Sequence, residues 1–234
     1  MTDRPGLIGV VAQETARYAM FSASLTGTEK PDGSRIRWAM GHSIAQNHNL
    51  LVHMLLEQPE WEWLWILGDD HAWKPDLLMQ LLAHDKDIVV PLCLMRSPPY
   101  HPVIFSGFEN EELFTRTRIQ LPDLDIHAFG GLIPVHSCGG AGMLVKRQVF
   151  EEMPEPWFEA AVLNGQTLGE DLYFCDKARD LGFEIYCDLD HTFGHCMNGI
   201  VWPARDNVGQ FTYGFSMTGG FAITMPRLDQ ENEQ

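Results

Sequence analysis

Asp69-Asp70-His71 follow directly on the apolar run Trp63-Leu64-Trp65-Ile66-Leu67-Gly68. Two carboxylates and an imidazole at one corner can share a divalent cation; buried without one, the carboxylates repel and resist desolvation. A surface turn with two solvated aspartates is the plainer alternative. A second acidic pair, Glu170-Asp171, follows Gly169. Such a pair suits general-base chemistry, or only the favourable charge of a helix amino terminus. His191 and His195 close another apolar run, and with Cys187 and Cys196 they spell C-x3-H-x3-H-C. That spacing opens a rival zinc reading, although structural zinc usually draws paired CxxC ligands. Finally, the glycines in Ser137-Cys138-Gly139-Gly140-Ala141-Gly142 permit close approach of backbone to a bound group, or a bulge between strands.

These residues need a scaffold, and the apolar pattern supplies one. Leu7 to Ala12, Trp63 to Gly68 and Asp87 to Leu94 are short continuous apolar runs, as strands covered on both faces require. Pro75-Asp76 opens a helix with Leu77, Leu78, Leu81 and Leu82 on one side, so residues 63 to 94 form a β-α-β unit with parallel strands. Ile36, Met40, Ile44, Leu51 and Leu55 recur at helical spacing, predicting one or two helices from about Ser34 to Gln58, with Asn47 on their buried side. Residues 105 to 129 read as hairpin or loop. Leu132 to His136 and Met143 to Val145 are further apolar segments, the second leading into a helix from Arg147 to Met153. A helix starting at Gly169-Glu170-Asp171 buries Leu172, Cys175, Ala178 and Leu181 and stops at Gly182, before a strand from Phe183 to Asp188. Beyond Trp202 no strong period is found. The expectation is an α/β fold with a mostly parallel central sheet flanked by helices, one domain over 1–225, and a polar tail over 226–234.

Composition narrows the function classes. Lys+Arg 16 against Asp+Glu 32 gives a formal charge of -16, which argues against nucleic-acid binding by phosphate neutralisation over a broad basic surface. A local track from Arg96, Arg116, Arg118, Lys146 and Arg147 stays open. Five scattered cysteines without a CxxC pair read as reduced thiols. No apolar run is long enough to cross a bilayer and no signal peptide opens the chain, so a cytoplasmic protein is expected, in the host cell if the gene is a phage's. No GxGxxG and no GxxxxGK[ST] occurs, which disfavours dinucleotide folds and phosphate-loop NTPases.

In order, the motifs WILGDDHAWKPDLL, CGGAGMLVKRQVF and GEDLYFCDKARDLGFEIYCDLDHTFGH resemble the GT-A glycosyltransferases, in particular the small bacterial and phage members of the family 2-like group, over roughly residues 5 to 197. The resemblance implies a DxD-type metal motif in which Gly68 replaces the first aspartate and Asp70 stands at the second; a D-x-H register through Asp69 and His71 is the alternative. It further implies His195 as the late metal ligand, Mn²⁺ or Mg²⁺ as the ion, and a nucleotide-sugar donor such as a UDP-sugar. Asp171 is implied as the base that deprotonates an acceptor hydroxyl, with Glu170 orienting it and inversion as the outcome. Gln13, Glu14, Thr15 and Arg17 are implied near the donor base and ribose, with Asn47 and Asp69; Gln46 stands where relatives carry arginine. The Gly140 turn would floor the sugar site, and Arg205, with Trp202 and Tyr213, would close over the donor. The acceptor stays open between a saccharide and a hydroxymethylated base in phage DNA, as does the oligomeric state. A catalytically inactive nucleotide-sugar or carbohydrate-binding module on the same fold is the remaining rival.

Overall fold

Alternate residues of the central strands face opposite layers. The computed structural model describes residues 2–12, 18–110, 115–127, 131–163, 166–197, 199–217 and 221–225. In chain order its elements are β1 (Leu7–Val11), α1 (Ala19–Gly27), β2 (Arg35–Ala39), α2 (Ile44–Leu56), β3 (Trp63–Gly68), β4 (His71–Ala72), α3 (Leu77–Ala83) and β5 (Ile88–Cys93). The hairpin β6 (Ile104–Asn110) and β7 (Thr115–Arg118) follows, then a 3-10 turn at Leu121–His127, β8 (Leu132–Val135), β9 (Ser137–Cys138), β10 (Met143–Lys146) and α4 (Arg147–Glu152). The short pair β11 (Ala161–Leu163) and β12 (Gln166–Leu168) leads to α5 (Glu170–Asp180), β13 (Ile185–Cys196), β14 (Ile200–Arg205), β15 (Phe211–Met217) and β16 (Phe221–Met225).

The main sheet runs β16-β15-β14-β13-β5-β10-β3-β1-β2. β2, β1 and β3 pair in parallel, as do β5 and β13, while β10 lies antiparallel between β3 and β5. Leu7, Leu64, Ile66, Ile88, Val90, Met143 and Val145 face one layer, under α2, α4 and α5. Ile8, Val10, Trp63, Trp65, Leu67, Val89 and Leu144 face the other, under α1 and α3. A sheet covered on both sides explains why these strands are apolar without alternation.

Several sequence expectations change. Arg35–Ala39 is a strand and not part of a helix: Arg35 and Arg37 alternate with Ile36 and Trp38, which pack on the α1/α3 layer, so the period is 2. It is the sheet edge, where charged side chains discourage further pairing. The helix begins only after Ser43, whose hydroxyl accepts the Gln46 N–H while the Gln46 side chain accepts the Ser43 N–H, a reciprocal cap. β3 and β5 are parallel but not neighbours, because β10 returns between them. On α5 the buried face is Phe174, Cys175 and Ala178, and Leu181 is exposed. β13 runs on through His195 to Cys196, and the segment without a clear period is a three-stranded antiparallel extension, β14 to β16. The polar tail over 226–234 lies outside the described residues. No helix among the described residues is long and apolar enough to cross a membrane.

Candidate functional site

The cavity of about 670 Å³ opens where β1, β3 and β5 end, the usual ligand position in open α/β sheets. Val11 and Ala12 come from the end of β1, Gly41, His42, Asn47 and His48 from the start of α2, Gly68 to His71 from the end of β3, Arg96 from beyond β5, Gly140 and Ala141 from the glycine turn, and Glu170 from α5.

One corner of this cavity brings together residues far apart in sequence. β13 leaves β5 and pairs antiparallel with the two-residue β4, which sets His195 opposite His71 in register. Their rings stack with centroids 4.6 Å apart, and His71 also stacks on Phe193. The Cys196 N–H donates to the Asp70 carbonyl at 2.7 Å, locking that corner by its backbone. Asp70 Oδ1 lies 3.0 Å from His71 Nδ1, and Asp70 Oδ2 lies 3.3 Å from His195 Nε2 and 2.9 Å from the Arg96 guanidinium. Burial pushes the Asp70 carboxyl up, but hydrogen bonds from His195 and His71 outweigh it and hold the group far below the usual carboxylate range.

The donor set fits a divalent ion. His195 Nδ1 donates to the Leu94 carbonyl at 2.9 Å, which leaves a lone pair on Nε2, aimed at the Asp70 carboxylate. A lone pair facing an anionic oxygen needs a proton or a metal between them, and a backbone-anchored imidazole is the usual form of a metal-ligating histidine. The Nε2 of His71 is buried without a hydrogen-bond partner. The Cys93 thiol lies within 4.8 Å of both imidazoles, and burial pushes it well above the ordinary thiol range, so without coordination it stays a neutral thiol. Asp69 lines the same cavity.

The two members of the acidic pair separate. Glu170 lines the cavity, with its Oε1 4.0 Å from the Nδ1 of the buried His48. Burial, reinforced by the charge of Asp171, raises its carboxyl above the ordinary value. Asp171 instead accepts the N–H of Leu172 at 2.8 Å and of Gly140 at 3.2 Å, tying α5 to the glycine turn. Burial raises this carboxyl too, with those backbone donors partly offsetting it. Gly142 in the turn has φ +72, and an added Cβ would lie 3.0 Å from Pro91; its carbonyl accepts the Trp65 indole N–H at 2.9 Å. His48, buried against Phe158 with ring centroids 4.7 Å apart, is lowered to about 4 by burial and is neutral at pH 7. Asn47 donates to the His42 carbonyl at 3.2 Å, while its Oδ1 is buried without a partner. His48 was missed in the sequence, where only its place beside Asn47 marked it.

Other expected residues fall elsewhere. Gln13, Glu14, Thr15 and Arg17 lie outside the described residues. Arg205 is not brought to the cavity: its guanidinium stacks 3.8 Å from the Phe211 ring centroid and donates to the Gly209 carbonyl within its own hairpin. Trp202 bonds Ser216, and Tyr213 is buried against Tyr100. Cys187, His191, His195 and Cys196 do not form a common ligand cluster; among the described residues His191 groups with His84 and Asp188, and His195 with His71 and Cys93. The basic residues do not form a track either: Arg116 pairs with Asp176, Arg118 donates to the Pro102 carbonyl, and Lys146 pairs with Asp85 and Asp87. Arg147 donates to the carbonyls of Leu55, Leu56, Gln58 and Trp61, capping the carboxyl end of α2.

No family model and no curated protein matches the sequence. Among solved structures, the chain is similar to A197 from STIV, with a TM-score of 0.63 and 13% identity over 97% of this chain and 99% of that one. It is also similar to GalNAc-T7, solved with UDP, GalNAc and Mn²⁺, with a TM-score of 0.58 and 11% identity over 83% of this chain and 44% of that one. At such identities the likeness concerns the backbone alone, and with the strand order above it shows that this chain has a GT-A-like α/β fold.

Proposed function

We propose that this protein is a metal-dependent glycosyltransferase that moves a sugar from a nucleotide-diphosphate donor, a UDP-sugar in the first instance, to an acceptor hydroxyl with inversion. The observation that carries this reading is that Asp70 and His71 line the cavity that also receives Glu170, with His195 Nε2 3.3 Å from the Asp70 carboxylate. Asp70 and His195, with His71 beside them and Asp69 on the same wall, would hold Mn²⁺ or Mg²⁺; imidazole donors favour Mn²⁺. A bound ion there would neutralise charge on a diphosphate leaving group. The Arg96 guanidinium, already at this corner, adds positive charge on the diphosphate side.

Glu170, and not Asp171, is assigned the base. An ionised carboxylate raised by burial is the stronger proton acceptor, and Glu170 faces the cavity whereas Asp171 holds the glycine turn. Glu170 takes the acceptor hydroxyl proton as that oxygen attacks the anomeric carbon and the bond to the diphosphate oxygen breaks. The neutral His48 beside it does not compete for the proton at pH 7. Gly140 and Ala141 floor the space between, where a side chain would intrude on a sugar ring. Because Arg116, Arg118, Lys146 and Arg147 are engaged within the fold, a saccharide acceptor is favoured over a hydroxymethylated base in duplex DNA.

The test is a donor-hydrolysis screen over UDP-, GDP- and TDP-sugars with Mn²⁺, followed by the active donor against saccharides and hydroxymethylated duplex DNA. Turnover that requires the metal and is lost in Asp70→Ala supports the assignment. No turnover with any donor and metal, or undiminished turnover in Asp70→Ala, overturns it.

A further inference from the structure

The carboxylate of Asp188 is completely buried in β13, yet it pairs there with two imidazoles. His84, at the carboxyl end of α3, places Nε2 2.7 Å from Asp188 Oδ2, and His191 places Nδ1 2.7 Å from the same oxygen. The other carboxylate oxygen is spent on backbone: it accepts the N–H groups of Asp190 at 2.8 Å and His191 at 3.1 Å. Asp188 is thus fixed in orientation, with one oxygen turned toward two nitrogen donors.

The backbone is shaped to make this cluster. The parallel ladder between β5 and β13 breaks register between Asp188 and Thr192, so Leu189, Asp190 and His191 bulge from it. The bulge is anchored from outside, the Leu189 N–H donating to the Gly131 carbonyl at 2.9 Å and the Gly131 N–H to Asp190 Oδ2 at 2.9 Å. A bulge that returns a side chain over a residue three positions earlier is the kind of irregularity that re-aims groups for a purpose. Both imidazoles keep an open side, at 26% and 29% exposure, so the cluster is reachable from solvent.

We infer that His84 Nε2, Asp188 Oδ2 and His191 Nδ1 form a second divalent-metal site, selective for Zn²⁺ over Mn²⁺. Two imidazoles, one carboxylate and an open position for water make a tetrahedral zinc set, and on nitrogen donors Zn²⁺ outranks Mn²⁺. Donors bound at about 2.0–2.1 Å around a tetrahedral ion stand roughly 3.3 Å apart, so each partly exposed ring backs away by ~0.6 Å on binding. The ion takes the lone pair of the nitrogen facing Asp188 in each ring, and any proton there leaves to solvent or moves to the outer nitrogen. It would clamp the end of α3 to β13 just before that strand reaches His195, and so steady the cavity corner from behind. The site shares no ligand with that corner, and the inference stands independently of sugar transfer.

Metal-stripped full-length chain titrated with Co²⁺, followed by its visible d–d absorption and then displaced by Zn²⁺, tests this. In wild type and in His195→Ala the band from this site appears and Zn²⁺ bleaches it. In His84→Ala and His191→Ala the Co²⁺ affinity of that component falls at least tenfold, and the rise in Tm with added Zn²⁺ disappears. Circular dichroism of the metal-free proteins verifies that each variant is folded, and the two exposed-ring variants serve as independent tests should one not fold. Equal Co²⁺ affinity in wild type and both variants, loss of the whole signal in His195→Ala alone, or no Co²⁺ or Zn²⁺ binding by wild type overturns the inference.

Discussion

Asp70 and His195, 125 positions apart, approach to 3.3 Å between carboxylate oxygen and imidazole nitrogen, and the Leu94 carbonyl on the far side of the ring fixes which nitrogen faces the carboxylate. The proposed metal site rests on that three-member line. Asp70→Asn or His195→Ala should weaken Mn²⁺ binding by about 100-fold or more, because each removes a proposed direct ligand where even outer partners matter tenfold to 100-fold. Mn²⁺ titration by calorimetry reads this, and unchanged affinity in both variants rejects the assignment.

Separating the acidic pair gives a second prediction. Glu170→Gln should lower kcat by roughly 10²–10⁴-fold with donor affinity unchanged, the size expected for loss of a general base. Asp171→Asn should act first on stability, since it loosens the bond to the Gly140 N–H. In wild type the ascending limb of the pH profile should lie above the ordinary glutamate value of 4.5, because burial raises Glu170 and a base in the proposed transfer must be ionised. Donor-saturated rates across pH, with urea midpoints for both variants, decide between the two carboxylates.

His48 titrates near 4 in the fold against 6.5 unfolded. Below 6.5 the unfolded chain therefore binds a proton that the native protein refuses, so stability falls as the pH drops from 6.5 toward 4. Between about pH 7 and pH 5 this one group accounts for roughly 2 kcal/mol. His48→Phe, which keeps a ring against Phe158, should flatten that part of the stability curve. Urea unfolding at the two pH values measures the difference; equal slopes for both proteins would contradict it.

Arg147 joins the end of α2 to the start of α4 through four carbonyls and the Glu151 carboxylate. Arg147→Met keeps the stem and removes the donors; the Leu55 and Gln58 carbonyls keep backbone partners, while those of Leu56 and Trp61 lose the guanidinium bond. A loss of about 3 kcal/mol is expected from several charge-assisted bonds. The urea midpoint reports it, and a loss below the error of that measurement would place Arg147 among ordinary surface cations.

By itself the sequence determined the apolar strands β1, β3 and β5, the helices α3 and α5, and the ionisable residues at their ends. A sheet covered on both faces writes continuous apolar runs, and charged residues that end such runs stand out. It did not determine β2, because in Arg35–Ala39 a period of 2 was overrun by a helical spacing that continued from the neighbouring segment. The antiparallel strands beyond Trp202 were hidden too, since short strands mixed with glycine and aromatics show little period. Which residues meet was decided by tertiary structure alone. Chain-distant pairing of β4 with β13 sets His71 against His195, and the turn of α5 sends Glu170 into the cavity while Asp171 faces Gly140. Neighbouring helix residues point about 100° apart, so a two-letter acidic motif offers two candidate carboxylates and leaves which one reaches the cavity to the packing of its helix.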